Sequence, residues 1–424
     1  MSHDSSYKPN SGFERWMDER LPIIRLGADF ATFPTPRNLN YFWTFGGILT
    51  FCLVTQIITG IVLAMHYIPD AAQAFDSVER IRRDVPSGWL IQPIHMVGAS
   101  MFFVAVYIHM FRGLYYGSYK APREVLWTLG MLIYALMMAT AFMGYSLVWG
   151  NMSFWGVTVI TSLVGTLDEI IRGTGTWLLT QVLGGYSVNA ATLNRLYSLH
   201  YLLPFAIAGL VVLHIWALHV SGNNNPTGLM VKNDSDTVPF HPYMTVKDGF
   251  ALSVFVLVFA WFVFYVPFYL ADPANSEPAN ALKTPSEIAP EWYFRPYYAI
   301  LRSIPSKLWG VILFAGSILL WFFVPWLDTS RVRSAKYRPA YRWCFWLFVI
   351  SFIGLTYLGG KPPEGWYVIW SRIFMVYYFA YFLILLPLLG LVETPLPMPN
   401  SITESVLGAG GGVPSGAAAS AEKR

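Results

Sequence analysis

Residues 199–219 read LHYLLPFAIAGLVVLHIWALH, and this stretch decides how the 424-residue chain folds. It is almost wholly apolar and long enough to cross a bilayer as a helix. It nevertheless contains His200, His214 and His219. Ionisable side chains are costly inside a membrane and are rarely kept there without a partner. The stretch therefore predicts a transmembrane helix whose histidines bind something.

The composition of the whole chain indicates a membrane protein. Hydrophobic residues make up 55% of the chain and charged residues 12%, whereas soluble domains carry about 25% charged residues. We expect a polytopic, all-α protein in a lipid bilayer, with no nucleic-acid partner. Eight transmembrane helices are predicted, near residues 42–67, 92–112, 126–149, 198–219, 248–270, 308–327, 343–358 and 368–390.

Four regions follow from these spans. Residues 1–40 are predicted to be a cytoplasmic segment with an amphipathic surface helix from Glu14 to Leu26. Residues 41–225 form a four-helix bundle, and 226–395 form a second four-helix domain with a long outer loop. Residues 396–424, rich in Gly, Ala, Ser and Pro, are predicted to be disordered.

The distribution of Lys and Arg predicts the orientation. Loops that are basic remain on the cytoplasmic side, and RVRSAKYRPAYR at residues 331–342 is the clearest example. With an even number of spans, both termini are expected in the cytoplasm. The two cysteines, Cys52 and Cys344, provide neither an iron–sulfur ligand set nor a covalent haem motif.

Two spans each contain two histidines fourteen residues apart, namely His95 with His109 and His200 with His214. Fourteen residues are just under four helical turns, so each pair lies on one face and its members are roughly 21 Å apart. The second and fourth spans run in the same direction. His95 should therefore face His200 near the outer side, and His109 should face His214 near the inner side.

A lone buried histidine is more often a hydrogen-bonded core residue than a ligand, but two matched pairs favour two bis-histidine sites. Zinc usually takes four protein ligands or keeps an open position, whereas two opposed imidazoles fit the axial positions of a haem iron. Glycines repeat the spacing of fourteen, and glycine lets a ring approach a helix closely; small-residue helix packing is the alternative. They are Gly46, Gly60, Gly130 and Gly144. Arg112 and Arg195 could pair with haem propionates, or they could extend their charged ends to the water at the membrane surface.

These features occur within longer motifs, among them QIITGIVLAMHY, AFMGYSLVWGNMSFWG, LNRLYSLHYLLPF, FHPYMTVKD and PEWYFRPYYAILRSIPSKL. With them the chain resembles the cytochrome b subunit of quinol–cytochrome c reductases, in the single-chain form of proteobacteria and mitochondria. The resemblance covers about residues 30 to 400.

The resemblance implies a low-potential haem b between His95 and His200 and a high-potential haem b between His109 and His214. It also implies oxidation of ubiquinol at an outer site and reduction of ubiquinone at an inner site, coupled to proton translocation. Matched motif positions give Glu291, Tyr145, Gly156 and Tyr298 for the outer site, and His219, Asn223, Lys247 and Asp248 for the inner site. The implied partners are a Rieske iron–sulfur protein, a cytochrome c-type subunit and a second copy of the complex, in the bacterial cytoplasmic membrane.

The chemistry of these residue types suits the implied roles. Quinol oxidation releases protons, which a carboxylate such as Glu291 can accept. Quinone reduction consumes protons, which His219 and Asp248 can supply. The alternatives are a solvated loop glutamate for Glu291 and a helix-capping role for Asp248.

Several positions depart from the family pattern. Gln92 stands where the family usually has Arg, three residues before the first haem ligand. Arg295 lies beside the outer pocket, where it could pair with a carboxylate of the outer loops or contact the iron–sulfur partner. The remaining departures are Thr44, Val148 and Asn151.

Two other functions remain as alternatives. The first is a di-haem membrane anchor of the formate dehydrogenase or nitrate reductase type. Such anchors use fewer spans, and they leave the PEWY motif at residues 290–293 unexplained. The second is a transporter with buried histidines and no haem; such proteins often have broken helices and repeats, which the sequence lacks.

Overall fold

The computed structural model describes residues 7–408 of the chain. Within that range eight helices are long and apolar enough to cross a membrane, which confirms the predicted number and the all-α fold class. Numbered as spans in chain order, they are Tyr41–Ala64, Gly88–Tyr116, Glu124–Leu147, Ala190–Ser221, Phe240–Tyr265, Lys307–Leu327, Pro339–Leu358 and Gly365–Val392.

The fourth span begins earlier than predicted, at Ala190, because Asn189 caps it. The Asn189 side chain accepts hydrogen bonds from the backbone N–H groups of Ala191 and Thr192, and the Thr192 hydroxyl accepts from the Asn189 N–H. This reciprocal arrangement satisfies N–H groups that lack partners within the helix. The predicted start near residue 198 followed hydropathy alone and did not include the polar first turns.

The first four spans pack as two helix pairs. The first span lies along the second, and the third lies along the fourth. The two helix pairs face each other across a gap that contains the four histidines. We call the end of this bundle with His95 and His200 the outer end, and the end with His109 and His214 the inner end, following the predicted orientation.

Shorter elements cover both ends of the spans. Two three-residue strands, Pro34–Pro36 and Thr237–Pro239, pair antiparallel and tie the N-terminal segment to the start of the fifth span. The other helices are Gly12–Arg20, Ile23–Thr32, Ala74–Arg83, Asn151–Val164, Thr174–Leu183, Arg295–Ser303 and Ile402–Leu407. Short 3-10 turns occupy Gly165–Glu169, Asp234–Asp236, Pro273–Ser276 and Ala335–Tyr337, and Tyr381–Leu385 is a π-turn inside the last span.

The prediction of one N-terminal helix from Glu14 to Leu26 is wrong. Two helices, Gly12–Arg20 and Ile23–Thr32, are separated by Leu21 and Pro22. A residue before proline is driven out of the helical region, and Leu21 is extended, with φ −151° and ψ 92°.

The prediction of a disordered tail from residue 396 is also wrong for the described part of the tail. Ile402–Leu407 is a helix whose first turn is capped by Ser401. Thr403 donates two hydrogen bonds to Asp236, from its backbone N–H and from its hydroxyl, each 2.8 Å long. The remainder of the predicted tail, residues 409–424, lies outside the described residues.

The two predicted membrane domains share one buried core. Helix Arg295–Ser303 packs against the sixth, seventh and eighth spans. Three tyrosine hydroxyls then link this helix to the first bundle: Tyr134 lies 2.8 Å from Tyr297 and 3.1 Å from Tyr107. Side chains on both sides of the predicted boundary at 225/226 therefore belong to a single cluster.

A buried ion cluster near the inner end joins the two halves. Asp328 Oδ2 lies 2.8 Å from Lys120 Nζ and 2.9 Å from Arg338 Nη1, and it accepts a hydrogen bond of 2.5 Å from the Tyr119 hydroxyl. Burial alone would raise the pKa of Asp328, but the charges of Lys120 and Arg338 outweigh it and leave the pKa below its ordinary value. The carboxylate is therefore charged at neutral pH and pairs with both buried cations, and Arg338 pairs in addition with Glu393 at 3.3 Å.

We expect Asp328→Asn to destabilise the protein by about 3–5 kcal/mol, because it leaves the buried Lys120 without a counter-charge and Arg338 with Glu393 alone. The midpoint of thermal unfolding in detergent should fall clearly. Glu277→Gln is the matched control, since Glu277 pairs with Lys283 at 3.1 Å on the surface, where a pair contributes about 0–1 kcal/mol. Equal midpoints for the two variants would contradict this account.

Candidate functional site

The structure brings His95, His109, His200 and His214 together in the two predicted pairs. The ring centroids of His95 and His200 are 6.2 Å apart, and those of His109 and His214 are 6.5 Å apart. A metal ion about 2 Å from each of two imidazole nitrogens, with ring radii of about 1 Å, places the centroids roughly 6 Å apart. The spacing therefore fits one metal ion between the rings of each pair.

Hydrogen bonds orient the two outer rings for metal binding. His200 Nδ1 lies 2.8 Å from the Thr140 carbonyl, which can only accept, so Nδ1 carries the proton. His95 Nδ1 lies 2.9 Å from the Thr59 hydroxyl, which already donates to the Thr55 carbonyl at 2.7 Å. In both rings Nε2 is thereby left as the unprotonated nitrogen that a metal requires.

The four glycines each face one of the four imidazole rings. A Cβ atom added to Gly144 would lie 2.5 Å from His200 Cε1, and one added to Gly60 would lie 3.2 Å from His95 Cε1. The corresponding distances at the inner end are 3.1 Å from Gly130 to His214 and 3.8 Å from Gly46 to His109. The four glycines, which repeat at a spacing of fourteen residues, thus let the imidazole rings lie directly against the neighbouring helices.

Of the two arginines predicted for propionate binding, one lies at its histidine pair. Arg112 Nη2 is 3.3 Å from His109 Nδ1, and its guanidinium lies over the Trp43 ring at 5.0 Å. Its buried Nε has no hydrogen-bond partner among the described residues. Arg195 is instead exposed and donates to the Gln181 carbonyl. Five residues turn a helix by about 140°, so Arg195 points away from the face that carries His200.

A cavity of about 280 Å³ opens at the outer end and contains both the outer histidine pair and the predicted quinol residues. Its walls come from the first five spans and from the segment that carries Glu291. Tyr145 and Glu291 line this cavity together with His95 and His200. Val148, one of the departures from the family pattern, lines it as well. One continuous space therefore adjoins a carboxyl group and two opposed imidazole rings.

The Glu291 carboxyl is held in an environment that suits proton transfer. Burial raises its pKa to about 7, with a lowering contribution from Arg295 and a raising one from Asp272. A carboxyl with this pKa changes protonation state near neutral pH, as a general acid or base must.

The residues after Glu291 fasten its segment to the second span. The Trp292 indole N–H donates to the Ser100 hydroxyl at 3.2 Å, and the Tyr293 ring stacks on Phe103 with centroids 4.0 Å apart. The Tyr107 hydroxyl donates to the Tyr293 carbonyl at 2.5 Å. Glu291 is thus positioned by the helix that also carries His95.

Three residues predicted near the outer site have other surroundings. Tyr298 donates its hydroxyl to the Ile288 carbonyl at 2.8 Å and lies outside the cavity lining. Gly156 also lies outside the lining, and an added Cβ there would meet no atom within 4 Å. Arg295 donates to the Pro290 carbonyl at 2.9 Å and packs against Gly359 and Gly360. Arg295 therefore holds the PEWY segment through its backbone, and its charge acts on the nearby Glu291 carboxyl. Contact of Arg295 with an iron–sulfur partner stays a prediction.

The other departures from the family pattern have local roles. Asn151 donates to the Lys283 carbonyl at 3.1 Å and accepts from the Asn280 N–H at 3.2 Å, which joins the two long outer loops. Thr44 is buried and donates to the Tyr41 carbonyl at 2.7 Å, at the start of the first span.

The inner-site residues lie at the ends of the fourth and fifth spans, next to the N-terminal segment. The His219 ring contacts the rings of Phe30 and Phe33, with centroids 5.2 Å and 4.7 Å away. Lys247 donates to the Leu39 carbonyl at 2.8 Å. Asn223 and Asp248 are half-buried. The contribution of Phe30, Phe33 and Leu39 was not predicted.

Sequence comparisons match both halves of the chain. The family profile described as Cytochrome b/b6/petB matches residues 30–222, and that described as Cytochrome b(C-terminal)/b6/petD matches residues 278–379. The cytochrome b of Rickettsia typhi is 54% identical over 402 residues, covering 95% of this chain and 100% of that protein. The "Cytochrome b/c1" of Bradyrhizobium diazoefficiens is 58% identical over 97% of this chain, which spans only 59% of that longer protein.

The chain belongs to the cytochrome b family. It is also similar to a solved chain from a "Hyperthermophilic respiratory Complex III", with a TM-score of 0.85 and 40% identity over 89% of this chain and 99% of that one. The chain is therefore an integral membrane subunit of a quinol–cytochrome c reductase, and members of its family bind haem b. The opposed imidazoles, the glycines beside them and the orphaned Nε of Arg112 fit such a group.

We expect Gly144→Ala to lower the haem extracted per chain, because the added methyl group displaces the His200 ring from its place opposite His95. Gly209→Ala in the fourth span is the control, since a Cβ there meets nothing within 4 Å. Acid–acetone extraction of the purified complexes measures the haem. Wild-type haem content in Gly144→Ala would show that the close contact is dispensable.

Proposed function

We propose that the chain is a di-haem cytochrome b that oxidises ubiquinol at the outer end, passes electrons through haem b at each histidine pair and reduces ubiquinone at the inner end. Its setting is a bacterial cytoplasmic membrane, with both termini in the cytoplasm. A Rieske iron–sulfur protein, a cytochrome c-type subunit and a second copy of the complex are the proposed partners.

The observation that carries this proposal is the shared outer cavity. Glu291, with a pKa near 7, lines the same space as His95 and His200. Oxidation of a quinol bound there releases two protons and two electrons. One proton would go to the Glu291 carboxylate and one electron towards the histidine pair, while the second electron would go to the proposed iron–sulfur partner and the second proton would leave at the outer end. Tyr145 borders the same space and restricts how a quinol ring can lie. Haem b, when bound at both pairs, carries single electrons between the two ends of the bundle.

The proposed inner site supplies protons rather than accepting them. His219 and Asp248 are its proton donors, and Asn223 and Lys247 bind the quinone carbonyl oxygens. The ring contacts of His219 with Phe30 and Phe33 support this assignment, because they provide an apolar wall beside a titratable group. The N-terminal segment would then complete the site, since Leu39 holds Lys247.

Counting the haems tests the di-haem proposal. We expect two extractable b haems per chain, a reduced-minus-oxidised b-type spectrum, and one haem in His200→Asn, because one of the two imidazole pairs that would hold a haem is broken. His241→Asn is the control, since His241 is exposed and pairs with Thr245 at 3.0 Å. A folded wild-type protein without haem would exclude a redox function and favour a transporter.

Replacing the carboxyl tests the outer site. We expect Glu291→Gln to slow quinol oxidation by about 100-fold, because general-base assistance to proton removal is lost. In the wild type the rate should rise with pH through about 7 as the carboxyl deprotonates; this rise should be absent in the variant.

Steady-state quinol–cytochrome c turnover measured across pH gives both results. Glu287→Gln, an exposed position of the same loop, should retain the wild-type rate and pH profile. A wild-type pH profile in Glu291→Gln would remove this residue from the mechanism.

A further inference from the structure

Arg82 is the single Lys or Arg among the described residues that line the outer cavity. It lies near the end of helix Ala74–Arg83, which directly precedes the second span. The other charged or titratable side chains of the lining are Asp272, Glu291, His95, His200 and five tyrosines. Arg82 is thus the only permanent positive charge facing this space among the described residues.

The guanidinium of Arg82 is partly engaged and has donors to spare. One nitrogen donates to Glu79 at 2.8 Å, and the group lies over the Phe268 ring at 5.2 Å. The side chain is only 19% exposed. Its Nε is buried and has no hydrogen-bond partner among the described residues. A buried donor without a partner is costly, so this geometry points to an acceptor in the cavity.

Gln92 provides a second, independent sign of a missing ligand. It is 8% exposed and lines the same cavity, and its Oε1 is buried without a partner among the described residues. It lies three residues before His95, so the two share a helix face. The amide nitrogen of Gln92 can donate to a carboxylate, and its orphaned Oε1 can accept from a protonated carboxyl group. The amide itself carries no charge.

We propose that Arg82, together with Gln92, binds a haem carboxylate at the outer histidine pair and supplies from a neighbouring helix the positive charge that residue 92 lacks. This inference rests on the proposed function. Charge-assisted hydrogen bonds to a carboxylate are the contact that guanidinium groups favour. A cation at this place also stabilises the electron added on reduction, so Arg82 raises the reduction potential at the outer pair.

The test compares Arg82→Gln with Arg83→Gln in the whole complex. Both arginines pair with Glu79, at 2.8 Å and 2.9 Å, but the Arg83 side chain is 76% exposed and lies outside the cavity. Potentiometric titration of the b-haem absorption should give two components. In R82Q one component should shift to lower potential while the other keeps its wild-type value. In R83Q both should match the wild type.

Introducing a positive charge at residue 92 provides the decisive experiment. We expect R82Q/Q92R to return the shifted component to its wild-type potential, which a merely structural role of the Arg82–Glu79 pair would not allow. If R82Q fails to assemble, recovery of haem content and potential in R82Q/Q92R supports the proposal, and continued loss overturns it. Equal potentials in R82Q and R83Q also overturn it. Absence of haem from the wild type would instead remove the proposed function itself.

Discussion

The contact between an imidazole ring and a glycine on the neighbouring helix sets the geometry of the first bundle. Each histidine of the two opposed pairs faces such a glycine. The distances leave no room for a methyl group at Gly144 and little room at Gly130 or Gly60. Because a ring must fit between helices on one side and oppose a second ring on the other, the separation of the four spans is tightly constrained. The gap between the helix pairs, and so the outer cavity, follows from this constraint.

The same helix that carries two of these rings also organises the second half of the chain. The second span stacks Phe103 on Tyr293 and directs the Tyr107 hydroxyl at the backbone of the PEWY segment. Glu291 consequently has a fixed position relative to His95 although nearly two hundred residues separate them. In the proposed function, a proton acceptor and an electron acceptor would therefore act on one bound quinol without a separate docking step.

The elements set by helical periodicity were predictable from the sequence, and contacts between distant segments were not. Fourteen-residue spacings on two co-directional spans place His95 opposite His200 because α-helices have a fixed rise and twist. Closeness in sequence to His200 gave the wrong expectation for Arg195. Its angular position on the helix turns it away from the face that carries His200. Thr59, Thr140 and Arg82 gain their significance only from what packs against them, and no local pattern marks them. The short helix at Ile402–Leu407 escaped prediction for the same reason, since it is held by Asp236 far back in the chain.

The strand pairing of Pro34–Pro36 with Thr237–Pro239 and the ion cluster around Asp328 have a consequence for biogenesis. Both features link residues that are synthesised early to residues that are synthesised much later. During synthesis the first four spans can insert and pack, but Lys120 has to wait for the end of the sixth span before its charge is neutralised. The inner end therefore closes last. Until then the nascent first half presents an unpaired strand and an uncompensated cation at the inner end, two features that the finished subunit lacks.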